Sequence, residues 1–320
     1  MTPYFSLIIV SVCLWAYSPA WSADWVMEDS AWWSNNPTLA PRGLTVWTWQ
    51  FTKTPESAHL LGLTLHGTVA LLTGLLSHRL GLSLLASLAA GLFLFVHPIT
   101  VETAAYAASR SELIAAVGVM GACLLAVSLH QWWKWPLIGA CILLGVLRKE
   151  SAVIALGLVP LVLWYTGRPW RLVASVNVFV AGTIVGYYYE GIDHIMNRAD
   201  YAREIGMGDW MLMQASATVH MLTVIVTGSG MTPDVDYDAM TLHQHGMNLQ
   251  LLGFGLLAAS MFVYRFPVVL VGLLWLVIAL APRFVVQTPT GYLSEHPFYG
   301  ALPGLGMVAG WAFTCAVDRA

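Results

Sequence analysis

The strongest constraint on this chain is a succession of apolar runs, most of them close to the length of a membrane crossing and each bounded by a short polar break. They fall at about 58–77, 81–96, 111–131, 136–147, 151–166, 171–189, 211–228, 248–264, 266–281 and 298–316. A helix needs about 20 apolar residues to cross about 30 Å of hydrocarbon, and only helices and closed barrels satisfy their backbone groups there. The runs lack the two-residue alternation of strands. The expected fold is therefore an all-α integral membrane protein, a polytopic bundle of about 9–11 helices forming one domain over residues 1–320. Composition agrees, with 58% hydrophobic and only 10% charged residues against about 25% charged in soluble domains.

Several function classes drop out at once. The net charge of −3 and the absence of a Lys/Arg cluster leave nothing to hold a nucleic acid. Cys13, Cys123, Cys141 and Cys315 have neither metal-site nor disulfide-framework spacing. No phosphate-cradling glycine loop or nucleophile elbow is present, and isolated histidines such as His66, His130 and His220 read as satisfied core residues.

The first run, Tyr4 to Trp21, is long for a signal peptide and has no basic segment before it. It reads as an uncleaved helix, with Ala20-Trp21-Ser22 as the alternative cleavage site. Residues 23–57 then form a polar, Trp-rich first outer loop. With the N-terminus inside, Arg79, Lys134, Arg168 and Arg171 are cytoplasmic, while His97–Arg110 and Arg148–Glu150 are outside. The segment 190–247 is outer or interfacial, its path set by 211–228. If that run is interfacial or re-entrant rather than crossing, every acidic residue except Asp318 lies outside, and this is the preferred arrangement. Eight basic residues then also lie outside and six inside, against the positive-inside tendency, and binding an anionic ligand is a reason for them to be there.

Four groups could carry chemistry. Asp24 with Glu28-Asp29 puts adjacent carboxylates after the first helix, suited to general-base work or cation binding, or else to a plain solvated loop. His97-Pro98, Glu102 and Arg110-Ser111-Glu112 form the second group, and on one helix Glu102 and Arg110 would share a face. The plain alternative is that His97-Pro98 stops one helix while Ser109 and Glu112 make a capping box for the next. Arg148-Lys149-Glu150 is the third, either a phosphate grip or a salt-bridged turn. The fourth holds Asp234, Asp236 and Asp238, then Arg283, Tyr292, Glu295, His296 and Tyr299. Its alternating aspartates read as a solvated turn more than a metal site, and His243 and His245 lack a third ligand, so no metal ligand set is assigned.

Taken together, these stretches resemble the transmembrane and tetratricopeptide-repeat O-mannosyltransferases and their prokaryotic relatives, in the GT-C superfamily of membrane glycosyltransferases. Met27-Glu28-Asp29 through Asn36-Pro37 is similar to the family's acidic pair and following Asn-Pro. Pro41-Arg42-Gly43-Leu44-Thr45 resembles its Arg-Pro-Leu-Thr segment with Arg and Pro reversed. Phe95-Val96-His97-Pro98 through Glu102, with Arg110-Ser111-Glu112-Leu113, is the closest likeness. Lys149-Glu150-Ser151 resembles a later helix start, and Ser294-Glu295-His296-Pro297-Phe298-Tyr299 a Glu-Arg-Tyr-Leu-Tyr segment, with His296 in place of Arg. The likeness covers about 24–300 and does not include the repeat domain.

The resemblance implies a GT-C fold with a catalytic first outer loop. Its implied activity moves a sugar, such as mannose, from a polyprenyl-phosphate-linked donor to an acceptor hydroxyl on a protein or glycan, inverting the anomeric centre, at the outer face of a prokaryotic cytoplasmic membrane. By the same resemblance Asp29, or Glu28, is the base. Arg110, Arg148, Lys149 and His296 bind the donor phosphate, while His97, Glu102, Arg42, Glu295 and Tyr299 order the pocket. A divalent cation is the only cofactor it leaves open. The competing class is a non-enzymatic membrane protein, either a lipid or anionic-solute transporter or a degenerate GT-C scaffold. A transporter would carry charge near mid-membrane and symmetry between its halves, whereas these charges gather at one face.

Overall fold

A computed structural model describes residues 15–24, 51–128, 134–188, 206–228, 266–286 and 296–317, with isolated positions between them. Among the described residues the secondary structure is helical, with no strand. The helices are α1 (Pro55–Arg79), α2 (Leu84–Val96), α3 (Val101–Ala105), α4 (Arg110–Val127), α5 (Lys134–Val146), α6 (Ala155–Tyr165), α7 (Trp170–Tyr188), α8 (Met207–Thr227), α9 (Pro267–Val285) and α10 (Leu302–Val317). Five are long and apolar enough to cross a membrane, or six if the bent pair of α2 with Pro98–Ala105 counts as one span. The chain is a multi-pass membrane protein.

Local chemistry explains where these helices begin and turn. Thr54 caps α1 by accepting from the Ser57 amide at 3.3 Å, and the Ser57 hydroxyl accepts in return from the Thr54 amide at 3.1 Å. Pro55 supplies a preset first turn, Glu56 complements the positive end of the helix dipole, and His78 and Arg79 complement the negative end. Ser83 caps α2 through the Ala86 amide. Between them the chain reverses at Gly81, whose φ of +103° is a conformation that favours glycine.

α4 is the central helix, with 72% of its apolar window covered by protein. It packs on α1, α5 and α6; beyond these, α2 lies on α1 and α10, α10 on α9, α9 on α6, and α7 on both α5 and α6. Membrane helices are not driven together by apolar burial, so close backbone approach matters. Gly272 of α9 and Gly304 of α10 provide it, since a Cβ on either would strike the other's carbonyl oxygen.

Two ends of the bundle can be told apart. At one end the Lys134 ammonium donates to the Ser128 carbonyl, Arg168 to the Val127 carbonyl and the Tyr165 hydroxyl to the Leu80 carbonyl. At the other end lie His59, residues 97–112, residues 148–151, Arg283 and Tyr299. The expected separation of Arg79, Lys134 and Arg168 from His97–Arg110 and Arg148–Glu150 is present in the fold. The break after the short α5 is present as well: Lys149 is extended, and a 3-10 turn over Glu150–Ile154 precedes α6.

Two local readings of the sequence do not hold. Ser109 does not cap α4: it closes a 3-10 turn in helical backbone conformation and its side chain makes no cap bond, while the Glu112 carboxylate is taken by other partners. Glu102 and Arg110 do not share a helix face either. α3 ends at Ala105 and Tyr106 is extended, so the helical register restarts between them.

Candidate functional site

The polar end is organised around Glu112, in the first turn of α4. There a carboxylate is favoured by the helix dipole. It is buried at 7% exposure, where an isolated charge would be prohibitive, and it is compensated on both oxygens. Lys149 Nζ lies 3.3 Å from Oε1, and the Ser151 hydroxyl donates to Oε2 at 2.7 Å. Both partners come from the α5–α6 break, because an extended Lys149 followed by a 3-10 turn brings residues 149 and 151 to the same side. The salt bridge expected within Arg148–Glu150 is thus made by Lys149 to a different helix. Arg148 is buried beside it at 3% exposure.

Arg283, in the last turn of α9, completes the group. Its guanidinium carbon sits 5.0 Å from the Phe298 ring centroid and within electrostatic reach of Glu112. Lys149 is thus paired with a buried carboxylate, Arg283 lies within its electrostatic reach, Arg148 is buried next to Lys149 in sequence, and Glu150 is exposed at the edge. Arginine and lysine side chains brought to one interface are suited to holding an anion such as a phosphate.

Arg110 is fully buried two residues before Glu112, at the start of α4. Its Nε donates to the Ala107 carbonyl at 2.9 Å and its Nη1 to the Thr52 hydroxyl at 2.7 Å. These bonds fix the end of the first outer loop against α4. The beginning of that loop is fixed on the same side, for the His59 ring lies 2.7 Å from the Ala105 carbonyl and 3.4 Å from the Asp24 carbonyl.

Deeper within the bundle His66 makes a second polar centre. Its Nδ1 is 2.7 Å from the Tyr299 hydroxyl, and its Nε2 is 3.0 Å from the Phe95 carbonyl. The Tyr17 hydroxyl donates to the same carbonyl at 3.0 Å and lies 3.1 Å from Thr100 Oγ1, which donates to the His97 carbonyl. His97 has a separate task. Its Nδ1 accepts from the Ile99 amide, so Nε2 carries the proton and donates to the Ile225 carbonyl of α8 at 3.0 Å.

The sequence-predicted residues thus divide into groups. Lys149 pairs with Glu112, and Arg148 is buried next to Lys149 in sequence. Arg110 stands close by, engaged with Thr52, and Glu102 is half-buried on α3. His97 and Tyr299 are both buried and hydrogen-bonded, His97 in the α2–α3 bend and Tyr299 at His66. His296 opens the 3-10 turn His296–Ala301. Glu28, Asp29, Arg42 and Glu295, the Asp234–Asp238 group and the His296 side chain lie outside the described residues. Among the described residues no group of three His, Cys, Asp or Glu side chains could hold a metal ion.

Sequence reasoning gave Glu112 a capping role and did not single out Ser151, Thr52, Tyr17 or His59. One signal was available for His66: an imidazole in the middle of an apolar span needs polar partners from other helices. In comparisons with known proteins, no family model, no curated protein and no solved structure is significantly similar to this chain.

Proposed function

We propose that this chain is a GT-C-type membrane glycosyltransferase that moves a sugar from a polyprenyl-phosphate donor to an acceptor hydroxyl at the polar end of the bundle. The observation that carries the reading is a juxtaposition. The cation-rich group at Glu112 stands at the same end to which both ends of the acidic first loop are tied, through Asp24 at His59 and Thr52 at Arg110. A lipid-linked donor keeps its phosphate at the membrane interface, where Arg148, Lys149, Arg110 and His296 would offset the charge of the leaving phosphate. Asp29, or Glu28, would take the proton from the acceptor hydroxyl as that oxygen attacks the anomeric carbon from the face opposite the phosphate, which inverts that centre. Sequence resemblance supplies the roles of Asp29 and Glu28, and the chemistry supports a pair of acid and cation groups at one interface. The polar end is assigned to the outer face of a prokaryotic cytoplasmic membrane.

The test is release of free polyprenyl phosphate from a panel of polyprenyl-phosphate sugars by the protein in lipid, with a cell extract as acceptor source. Release that Asp29→Asn abolishes, with Glu28→Gln as comparison, supports the transferase. No release by folded protein from any donor moves the assignment to a transporter of lipid or anionic solute, or to a scaffold.

A further inference from the structure

By length and composition α8 is a membrane-crossing helix, yet both of its ends are tied to the same end of the bundle. In its first turn the Trp210 indole donates to the Arg283 carbonyl at 2.8 Å. Near its last turn the Ile225 carbonyl accepts from His97 Nε2 at 3.0 Å. Between Trp210 and Ile225 the helix rises by about 22 Å, most of the hydrocarbon thickness. Arg283 stands beside Phe298 and Glu112, and His97 stands where α2 ends, so both anchors belong to the polar end. A crossing helix would hold groups from opposite ends.

The distribution of side chains around α8 shows what covers it. Trp210, Gln214, Ala217, Met221 and Val224 are buried at spacings of four and three, the face laid on the bundle, and Ala215, Ser216 and Thr218 are buried as well, so the middle turn is enclosed. Away from that face and towards the two ends, Met211, Thr223, Val226 and Thr227 are exposed and Leu212, Val219 and Leu222 are partly exposed, without a charged side chain among them. Asp209, in the first turn, is the only charged residue of the helix apart from the titratable His220. A helix lying against water would carry charge on this face; an apolar face suits acyl chains.

We propose that α8 does not cross the bilayer. It lies along one leaflet at the polar end, its outward face against lipid acyl chains, and walls that end off from the surrounding lipid. The inference rests on hydrogen bonds and burial alone and stands whether or not the chain is a transferase.

The experiment uses the full chain with its native cysteines replaced, reconstituted in phosphatidylcholine–phosphatidylglycerol liposomes, with single nitroxides at Leu212→Cys, Val219→Cys and Val226→Cys. Depth is read from relaxation by oxygen against a water-soluble nickel chelate. All three labels are expected in one leaflet, although positions 212 and 226 are about 21 Å apart along the helix. Position 219 at the midplane, with 212 and 226 in opposite leaflets, overturns the proposal. Labelling by an impermeant maleimide gives a second readout. Asp209→Cys and Thr227→Cys, at the two ends of the helix, should react from the side that labels Lys53→Cys and not from the side that labels Arg171→Cys; reaction of the two from opposite sides overturns the proposal as well.

Discussion

The Tyr299 hydroxyl lies 2.7 Å from Nδ1 of His66, a contact between the 3-10 turn that precedes α10 and the middle of α1. A carbonyl can only accept, so the bond to Phe95 places the His66 proton on Nε2 and makes Nδ1 the acceptor of the Tyr299 hydroxyl. His66 is thereby a neutral connector joining α1, α2 and the chain before α10 within an apolar bundle.

Tyr299→Phe leaves the buried Nδ1 without its donor and is expected to cost about 1–3 kcal/mol. In thermal unfolding in detergent, adding it to His66→Leu should cost much less than it does alone, because the two groups share one bond. Additive losses would show that the contact does not couple them.

At the Glu112–Lys149 pair the two single substitutions should differ. Glu112→Gln removes the carboxylate from both Lys149 and Arg283, whereas Lys149→Met leaves Glu112 still facing Arg283 and Ser151. Breaking a buried pair costs about 3–5 kcal/mol. Since Lys149 is 24% exposed, solvent screening should hold the Lys149→Met loss below that range, with Glu112→Gln the larger loss. Denaturant unfolding of both variants and the double variant checks the order.

Gln214, on the buried face of α8, is 2% exposed, and its Nε2 has no hydrogen-bond partner among the described residues. An unsatisfied buried donor costs about 1–3 kcal/mol, so Gln214→Leu is expected to raise the unfolding temperature. A fall of more than a few degrees would mean that the amide is bonded.

Two glycine substitutions provide a matched pair. Gly186→Ala on α7 meets nothing within 4 Å, so it should be neutral or slightly stabilising, Ala being favoured over Gly in a helix by about 0.5–1 kcal/mol. Gly304→Ala drives a methyl into the Gly272 carbonyl and is expected to destabilise by about 1–3 kcal/mol. Yield of folded protein after detergent extraction, with unfolding temperature, distinguishes them.

Tyr17 is buried at 5% exposure and bonded to Phe95. Cleavage near Ala20-Trp21-Ser22 would remove it and leave a gap beside His66. The protein purified from membranes should therefore retain Tyr17, which an intact-mass measurement reads directly.

The sequence by itself determined where helices form and where they stop. Apolar run lengths demanded helices, His97-Pro98 announced an end, and Arg148–Glu150 announced a break. Each signal is local, carried by residues within a turn or two of one another, and each survives in the fold. The confinement of the described charges to the two ends, with Glu102, Glu112 and Glu150 at the same one, was legible too, because a charge within a span is costly and the chain keeps charges to its breaks.

Tertiary structure decided the rest, because partners are not local. Ser109 and Glu112 have capping-box spacing, but Lys149 and Ser151 arrive from another helix pair and claim the carboxylate. Nothing in the sequence near His66 points to Tyr299. α8 carries the clearest lesson: hydropathy records that a helix is covered by something apolar, without saying whether that is protein or lipid, or which way the helix runs. The distribution of acidic residues already favoured an interfacial or re-entrant path for 211–228, and the two anchors, at Arg283 and His97, supply the contacts that hold the helix in that direction.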